Sequence, residues 1–143
     1  MQMRLSGHSA YRTQYHIVIV TKYRRRALNP VKFRQVADYH IREIAGAIDG
    51  VEVQELNIQP DHVHMMVIIP PQYSVSKVVE IIKSQSTRRI RKEIPWLDKV
   101  YYATPALWTV GYFVSTVGID EEIIRRYVKY QTEQDSGQAK LDL

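Results

Sequence analysis

The sequence has no cysteine among its 143 residues. That excludes disulfides and thiolate metal sites, so a bound metal must take imidazole, carboxylate, amide or water ligands. Apolar runs are short, none approaching the roughly 18–20 residues a membrane helix needs, and the opening MQMRLSGHSAYR lacks an apolar signal core. The expectation is a cytoplasmic protein without a membrane partner. There is no G-x-x-x-x-G-K-[ST] loop, so no nucleotide cofactor is expected. Internal repeats and low-complexity segments are also missing. Acid is scarce at the start: the first 37 residues carry eight Lys or Arg and no Asp or Glu.

What is present reads as one domain, 1–143, since 45% hydrophobic and 24% charged residues are the proportions of a folded globular chain of this size. The net charge of +5 is concentrated in two places, the N-terminal stretch and KSQSTRRIRK at residues 83–92. Either cluster alone is also what a solvated surface looks like; together they point to a polyanion such as nucleic acid.

Residues 10–23, AYRTQYHIVIVTKY, are rich in β-branched and aromatic side chains and predict a central strand. Residues 30–48 place Phe33, Val36, Ala37, Ile41, Ile44, Ala45 and Ile48 at helical spacing, with Asn29 as cap, Pro30 in the first turn and an end near Gly50. Residues 51–58 and the run HVHMMVII, joined by a turn at NIQPD, predict a β-hairpin. From Ser74, Val75, Val78, Val79, Ile82 and Ile90 form one stripe of a second helix ending before Pro95. Residues 100–108, VYYATPALW, predict an extended segment that Pro105 confines to an edge or a bulge, followed by GYFVSTVG. Asp120 caps a last helix, and about 135–143 looks like a flexible tail. The order βαββαβ predicts an α+β, ferredoxin-like or RRM-like antiparallel sheet, with helices on one face and an added C-terminal helix.

The stretch PDHVHMMVIIPP, residues 60–71, carries an H-x-H pair. Alternation along a strand puts His62 and His64 on one face about 6.6–7 Å apart, where two imidazoles can converge on one ion. The plainer alternative is two polar residues meeting water or backbone at a strand start. On the last helix, Ile123, Ile124, Tyr127, Val128 and Gln131 share a stripe. A buried Gln131 amide needs a partner, which a metal could supply; an exposed helix end would need none.

The blocks YHIVIVTKYRRRAL, QPDHVHMMVIIPP, KSQSTRRIRKEIP, LWTVGYFVSTVG and EEIIRRYVKYQ resemble, in the same order, those of the single-tyrosine transposases of the HUH nuclease superfamily, of the insertion-sequence (IS200-like) type. The resemblance covers most of the chain. It implies a DNA transposase that cleaves and rejoins single-stranded DNA at insertion-sequence ends through a 5′-phosphotyrosine. By it Tyr127 is the nucleophile, and His62, His64 and Gln131 are ligands of a divalent metal, Mg²⁺ or Mn²⁺. It also implies a homodimer and DNA hairpins at the element ends as partner. Ser84 and Gln85 depart from the family pattern, which has a small residue or glycine after the lysine there. Tyr130 is the rival nucleophile, about 300° around the helix from Tyr127. The basic residues Arg12, Lys22, Arg24, Arg25, Arg26, Lys83, Arg88, Arg89, Arg91 and Lys92 are candidates for holding the DNA backbone. His8, His16 and His40 have no partner at ligand spacing in sequence. Two other readings stay open: a single-stranded nucleic-acid binding module without catalysis, and a domesticated, repeat-associated HUH nuclease.

Overall fold

In a computed structural model of the chain, which describes residues 3–6, 9–11 and 13–135, the expected sheet is present. Strand β3 (Gln14–Val20) lies between β5 (His62–Ile68) and β6 (Phe113–Ser115), and β4 (Glu52–Ile58) completes the order β4-β5-β3-β6. All neighbours pair antiparallel. This is the split βαβ arrangement: helix α1 (Val31–Gly46) crosses from β3 to β4, and α2 (Val75–Glu93) leads from β5 towards β6. Near full burial of Ile17, Val18, Ile19 and Val20 explains why that run is apolar on both faces.

Local chemistry accounts for the boundaries. The Ser74 hydroxyl accepts the Lys77 N–H and starts α2; Asp120 accepts the Ile123 N–H in the same way and starts α4 (Glu121–Asp135). Asn29 does not cap α1. Pro30 occupies the cap position, without a side-chain bond, and its fixed φ sets the entry. The helix stops at Gly46. Gly50 instead shapes the turn into β4 with φ +81°, where a Cβ would meet Pro70 Cγ at 2.9 Å.

Three expectations change. The strand drawn through residues 10–23 is two pieces, because β2 (Ser9–Tyr11) turns back to pair with β1 (Arg4–Ser6) and only β3 enters the main sheet. Residues 100–108 are not a strand. Val100 ends the short helix α3 (Leu97–Val100) and 101–108 follow as irregular chain, touching the sheet through one bridge between Thr21 and Trp108. The Arg91 guanidinium satisfies the carbonyls of Thr104, Ala106 and Tyr101, so this stretch needs no ladder. The fourth strand is GYFVSTVG, shortened to three residues. The expected tail beyond Asp135 lies outside the described residues.

The sheet separates two apolar clusters. On one side Ile17, Ile19, Val63, Met65 and Val67 pack with Ala37, Ile41 and Ile44 of α1 and Val78, Val79 and Ile82 of α2. Each large side chain so buried contributes about 1.5–3 kcal/mol. On the other side Val18 and Val20 pack under Ile124, Tyr127 and Val128 of α4. The alternation that sends Val63, Met65 and Val67 into the first cluster turns His62 and His64 towards the second.

Candidate active site

β3 and β5 fix the histidines by register. His62 stands opposite Val20 and His64 opposite Val18, the two residues on which α4 rests. The pair therefore lies beside the Tyr127 helix, on the same face of the sheet. Asp61 orients His62: its Oδ1 is 2.8 Å from His62 Nδ1, while its Oδ2 accepts Arg24 Nε at 3.1 Å. A carboxylate on Nδ1 selects the tautomer that leaves Nε2 as a lone-pair donor. Those two bonds, His62 first, hold the Asp61 carboxyl below its ordinary range against the opposing effect of burial. Burial, then the neighbouring His16, pushes His64 down and keeps it neutral at pH 7.

His16 is the residue that sequence spacing missed. Its Nδ1 lies 3.4 Å from His64 Nε2, with ring centroids 5.6 Å apart. Cross-strand register brings them together, and no sequence spacing encodes that register. His40 sits far from the site and meets Glu93 at 2.8 Å. His8 and Arg12 lie outside the described residues.

Tyr127 and Gln131 are both buried and bonded to one another: the Gln131 amide donates to the Tyr127 hydroxyl. The phenol packs against Phe113 and Tyr130, at centroid distances of 5.6 and 6.2 Å. Burial pushes its pKa up to about 12, the Gln131 bond opposing in part. Gly111, at φ +91°, lets the chain pass close by; a Cβ there would stand 3.4 Å from Gln131 Nε2 and 4.0 Å from the Tyr127 hydroxyl. The hydroxyl is thus turned towards the β6 flank of β3, and the imidazoles occupy the β5 flank. Among the described residues no group of three or more His, Asp or Glu is placed to hold a metal.

Below Gln131 a polar chain closes the helix end. Thr109 Oγ1 lies 3.3 Å from Gln131 Oε1 and 2.8 Å from Asp135 Oδ1. Asp135 also accepts Lys22 Nζ at 3.2 Å and the Tyr23 backbone N–H at 2.9 Å. Four residues past Gln131, Asp135 continues the stripe of Tyr127 and Gln131, a signal present in the sequence but assigned to the tail.

The basic residues divide by what their heads touch. Lys83 donates to the carbonyls of Thr109 and Gly111 at 2.7 and 2.9 Å, and burial lowers its pKa. Arg91 serves the 101–106 stretch and Asp98, and Lys22 serves Asp135. Arg89 pairs with Glu43 at 2.7 Å. Arg24, Arg25, Arg26, Arg88 and Lys92 are exposed.

Residues 9–131 match the family model described as "Transposase IS200 like". The chain belongs to the IS200-like transposase family. It is 34% identical over 129 residues to the transposase for insertion sequence element IS200 of Salmonella typhimurium, covering 90% of this chain and 83% of that one. With the ISDra2 transposase TnpA of Deinococcus radiodurans it shares 28% identity over 136 residues, 94% and 95% of the two chains. A crystal structure of a candidate transposase from Deinococcus radiodurans R1 superposes with TM-score 0.81 at 28% identity, covering 90% of this chain and 98% of that one. A REP-associated tyrosine transposase bound to a REP hairpin has the same fold at TM-score 0.52 and 15% identity, covering 93% of this chain and 74% of that one. No helix of the transposase's described residues is long and apolar enough to cross a membrane.

Proposed function

We propose that this transposase cleaves and rejoins single-stranded DNA at the ends of an insertion sequence, with Tyr127 as nucleophile. The observation that carries the reading is the placement of the oriented His62–His64 pair on the face of the sheet that α4 covers, next to the helix bearing Tyr127. In the reaction the Tyr127 hydroxyl oxygen bonds to a backbone phosphorus as the bond from that phosphorus to the 3′ oxygen breaks. The products are a 5′-phosphotyrosine and a free 3′-hydroxyl. One phosphodiester replaces another, so attack by a 3′-hydroxyl in the reverse sense rejoins a strand without an energy source.

The donor set fits a divalent ion, Mg²⁺ or Mn²⁺. His62 has Nδ1 committed to Asp61 and Nε2 free of it, His64 is held neutral by burial, and Gln131, whose amide meets Tyr127 and Thr109 in the closed arrangement, adds its oxygen only when α4 brings it to the imidazoles. Such an ion, when bound, neutralises charge that develops on the phosphate oxygens. The chain's own part is to orient His62 through Asp61 and to carry the phenol on α4. Even at its ordinary value near 10 an exposed phenol is almost wholly protonated at neutral pH, so it loses its proton to water as the oxygen–phosphorus bond forms.

In the conformation described, the hydroxyl is closed in by Gln131, Phe113 and the Gly111 turn. The reading therefore includes exposure of Tyr127, either by displacement of α4 or by its delivery to the His pair of a second copy in a homodimer. Its substrate is a strand bearing hairpins near the element ends.

The test is an incubation of the protein with single-stranded DNA carrying candidate hairpins and Mn²⁺ or Mg²⁺, followed by denaturing electrophoresis. An adduct that survives denaturation, disappears in Tyr127→Phe and persists in Tyr130→Phe is the expected result, with DNA binding retained in both variants. Loss of the adduct in Tyr130→Phe alone transfers the role to Tyr130.

A further inference from the structure

The reaction just described does not use the outer face of α4. There a groove of about 470 Å³ is lined by Arg24, Glu122, Arg125, Arg126 and Lys129. Four cations face one carboxylate, and no aromatic or apolar residue takes part. Arg125, Arg126 and Lys129 are exposed and flank the buried Tyr127 and Val128 in sequence. Arg24 enters from a different element, a tight turn in which Tyr23 and Arg24 both have left-handed φ, 59° and 53°. Only short polar residues and glycine adopt that conformation readily. Here it is held by Asp135, whose carboxylate accepts the Tyr23 N–H at 2.9 Å. Helix α4 thus supplies three of the cations and also fixes the turn that brings the fourth.

Two features indicate what the groove takes. Its charge is fixed and outward, which suits a polyanion rather than a small buried ligand, and it lacks the aromatic platforms on which bases stack. It is also joined to the catalytic face, because Arg24 Nε bonds Asp61 and Asp61 bonds His62. We propose that this groove binds backbone phosphates of single-stranded DNA along the stretch that runs up to His62, reading charge and not sequence. The proposal rests on single-stranded DNA being the substrate, but not on Tyr127 being the nucleophile.

The test measures binding by fluorescence anisotropy of two unstructured oligodeoxynucleotides of different sequence, in EDTA so that no cleavage enters, across a salt series. Each phosphate contact on a single strand contributes about 0.7 to the slope of log affinity against log salt. Arg125→Gln combined with Lys129→Gln, which keeps good helix formers, lowers the slope by about 1.4. The deficit relative to the unsubstituted protein is then about sevenfold larger at ~50 mM than at ~200 mM salt. It should be equal for both sequences. Glu122→Gln removes the one acid, frees Arg126 from its 2.8 Å pair and moves affinity the other way. An unchanged slope in the double variant, or a loss confined to one sequence, overturns the proposal, as does a Glu122→Gln variant that binds more weakly. Circular dichroism separates misfolding from lost contacts. If adduct formation fails while the slope falls as stated, the cleavage chemistry is wrong and the groove stands.

Discussion

Raising the pH should unfold this protein through two tyrosines. Tyr127 and Tyr101 are 3% and 1% exposed, and burial pushes both phenols up to about 12. Tyr101 donates to the Lys22 carbonyl at 3.1 Å, and the Tyr127 oxygen is bonded by Gln131. In the unfolded chain each ionises near pH 10. A pKa higher in the folded state favours folding fully below pH 10, and that contribution is lost as the pH rises from about 10 through about 12. At about pH 11 the unfolded phenol is mostly ionised and the folded one mostly neutral, so each tyrosine removes about 1.4 kcal/mol and the two together about 3 kcal/mol. The assay is urea unfolding at about pH 8 and pH 11 for the unsubstituted protein, Tyr127→Phe, Tyr101→Phe and the double variant. Lysines and the remaining tyrosines titrate in all four, so the differences isolate the two sites. Each single variant should recover about half of the alkaline loss that the double variant recovers. If Tyr127→Phe loses as much stability between the two pH values as the unsubstituted protein, Tyr127 is open to solvent in solution and the closed arrangement described above is wrong.

Asp61→Asn leaves His62 without its orienting carboxylate and should weaken Mn²⁺ binding about 10- to 100-fold, followed by the free-ion electron paramagnetic resonance signal. The lowered Asp61 pKa also means its contribution to stability is present above the ordinary carboxylate range and is lost as the pH falls from that range through the lowered folded value, a loss that Asp61→Asn should abolish. Arg91→Met keeps the aliphatic stem but strips the carbonyls of Tyr101, Thr104 and Ala106, and should cost about 2–4 kcal/mol, a fall of roughly 10 °C in Tm by calorimetry; a change under about 1 °C would show that water replaces the guanidinium freely.

Elements governed by local chemistry were legible in the sequence. The start of the second helix at Ser74, the Asp120 cap, the two-residue alternation of VHMMV and the helical stripe each act within a few residues, and the structure places them accordingly, except that of the stripe's five members Ile123 is only half-buried while Ile124, Tyr127, Val128 and Gln131 are buried. What escaped depends on chain brought from far away. VYYATPALW has the composition of a strand, but Arg91, thirteen residues before Thr104, takes its carbonyls out of any ladder. His16 meets His64 only because β3 and β5 pair in one register out of several. Lys83 reads in sequence as a candidate for holding the DNA backbone, and its Nζ donates to the carbonyls of Thr109 and Gly111. Asp135 shows the converse, a residue whose helical spacing was visible and whose partners, Lys22 and Tyr23, were more than a hundred positions away.

Strand β3 sends Ile17 and Ile19 to one side and Val18 and Val20 to the other, so one seven-residue segment serves two neighbourhoods with separate demands. Odd positions are judged by how well a permanent interior is filled. Even positions are judged by how firmly a single helix is seated. On the proposal that Tyr127 must be exposed to react, substitutions at Val18 or Val20 act on that exposure through the seat of α4, whereas those at Ile17 or Ile19 act on the two-helix interior.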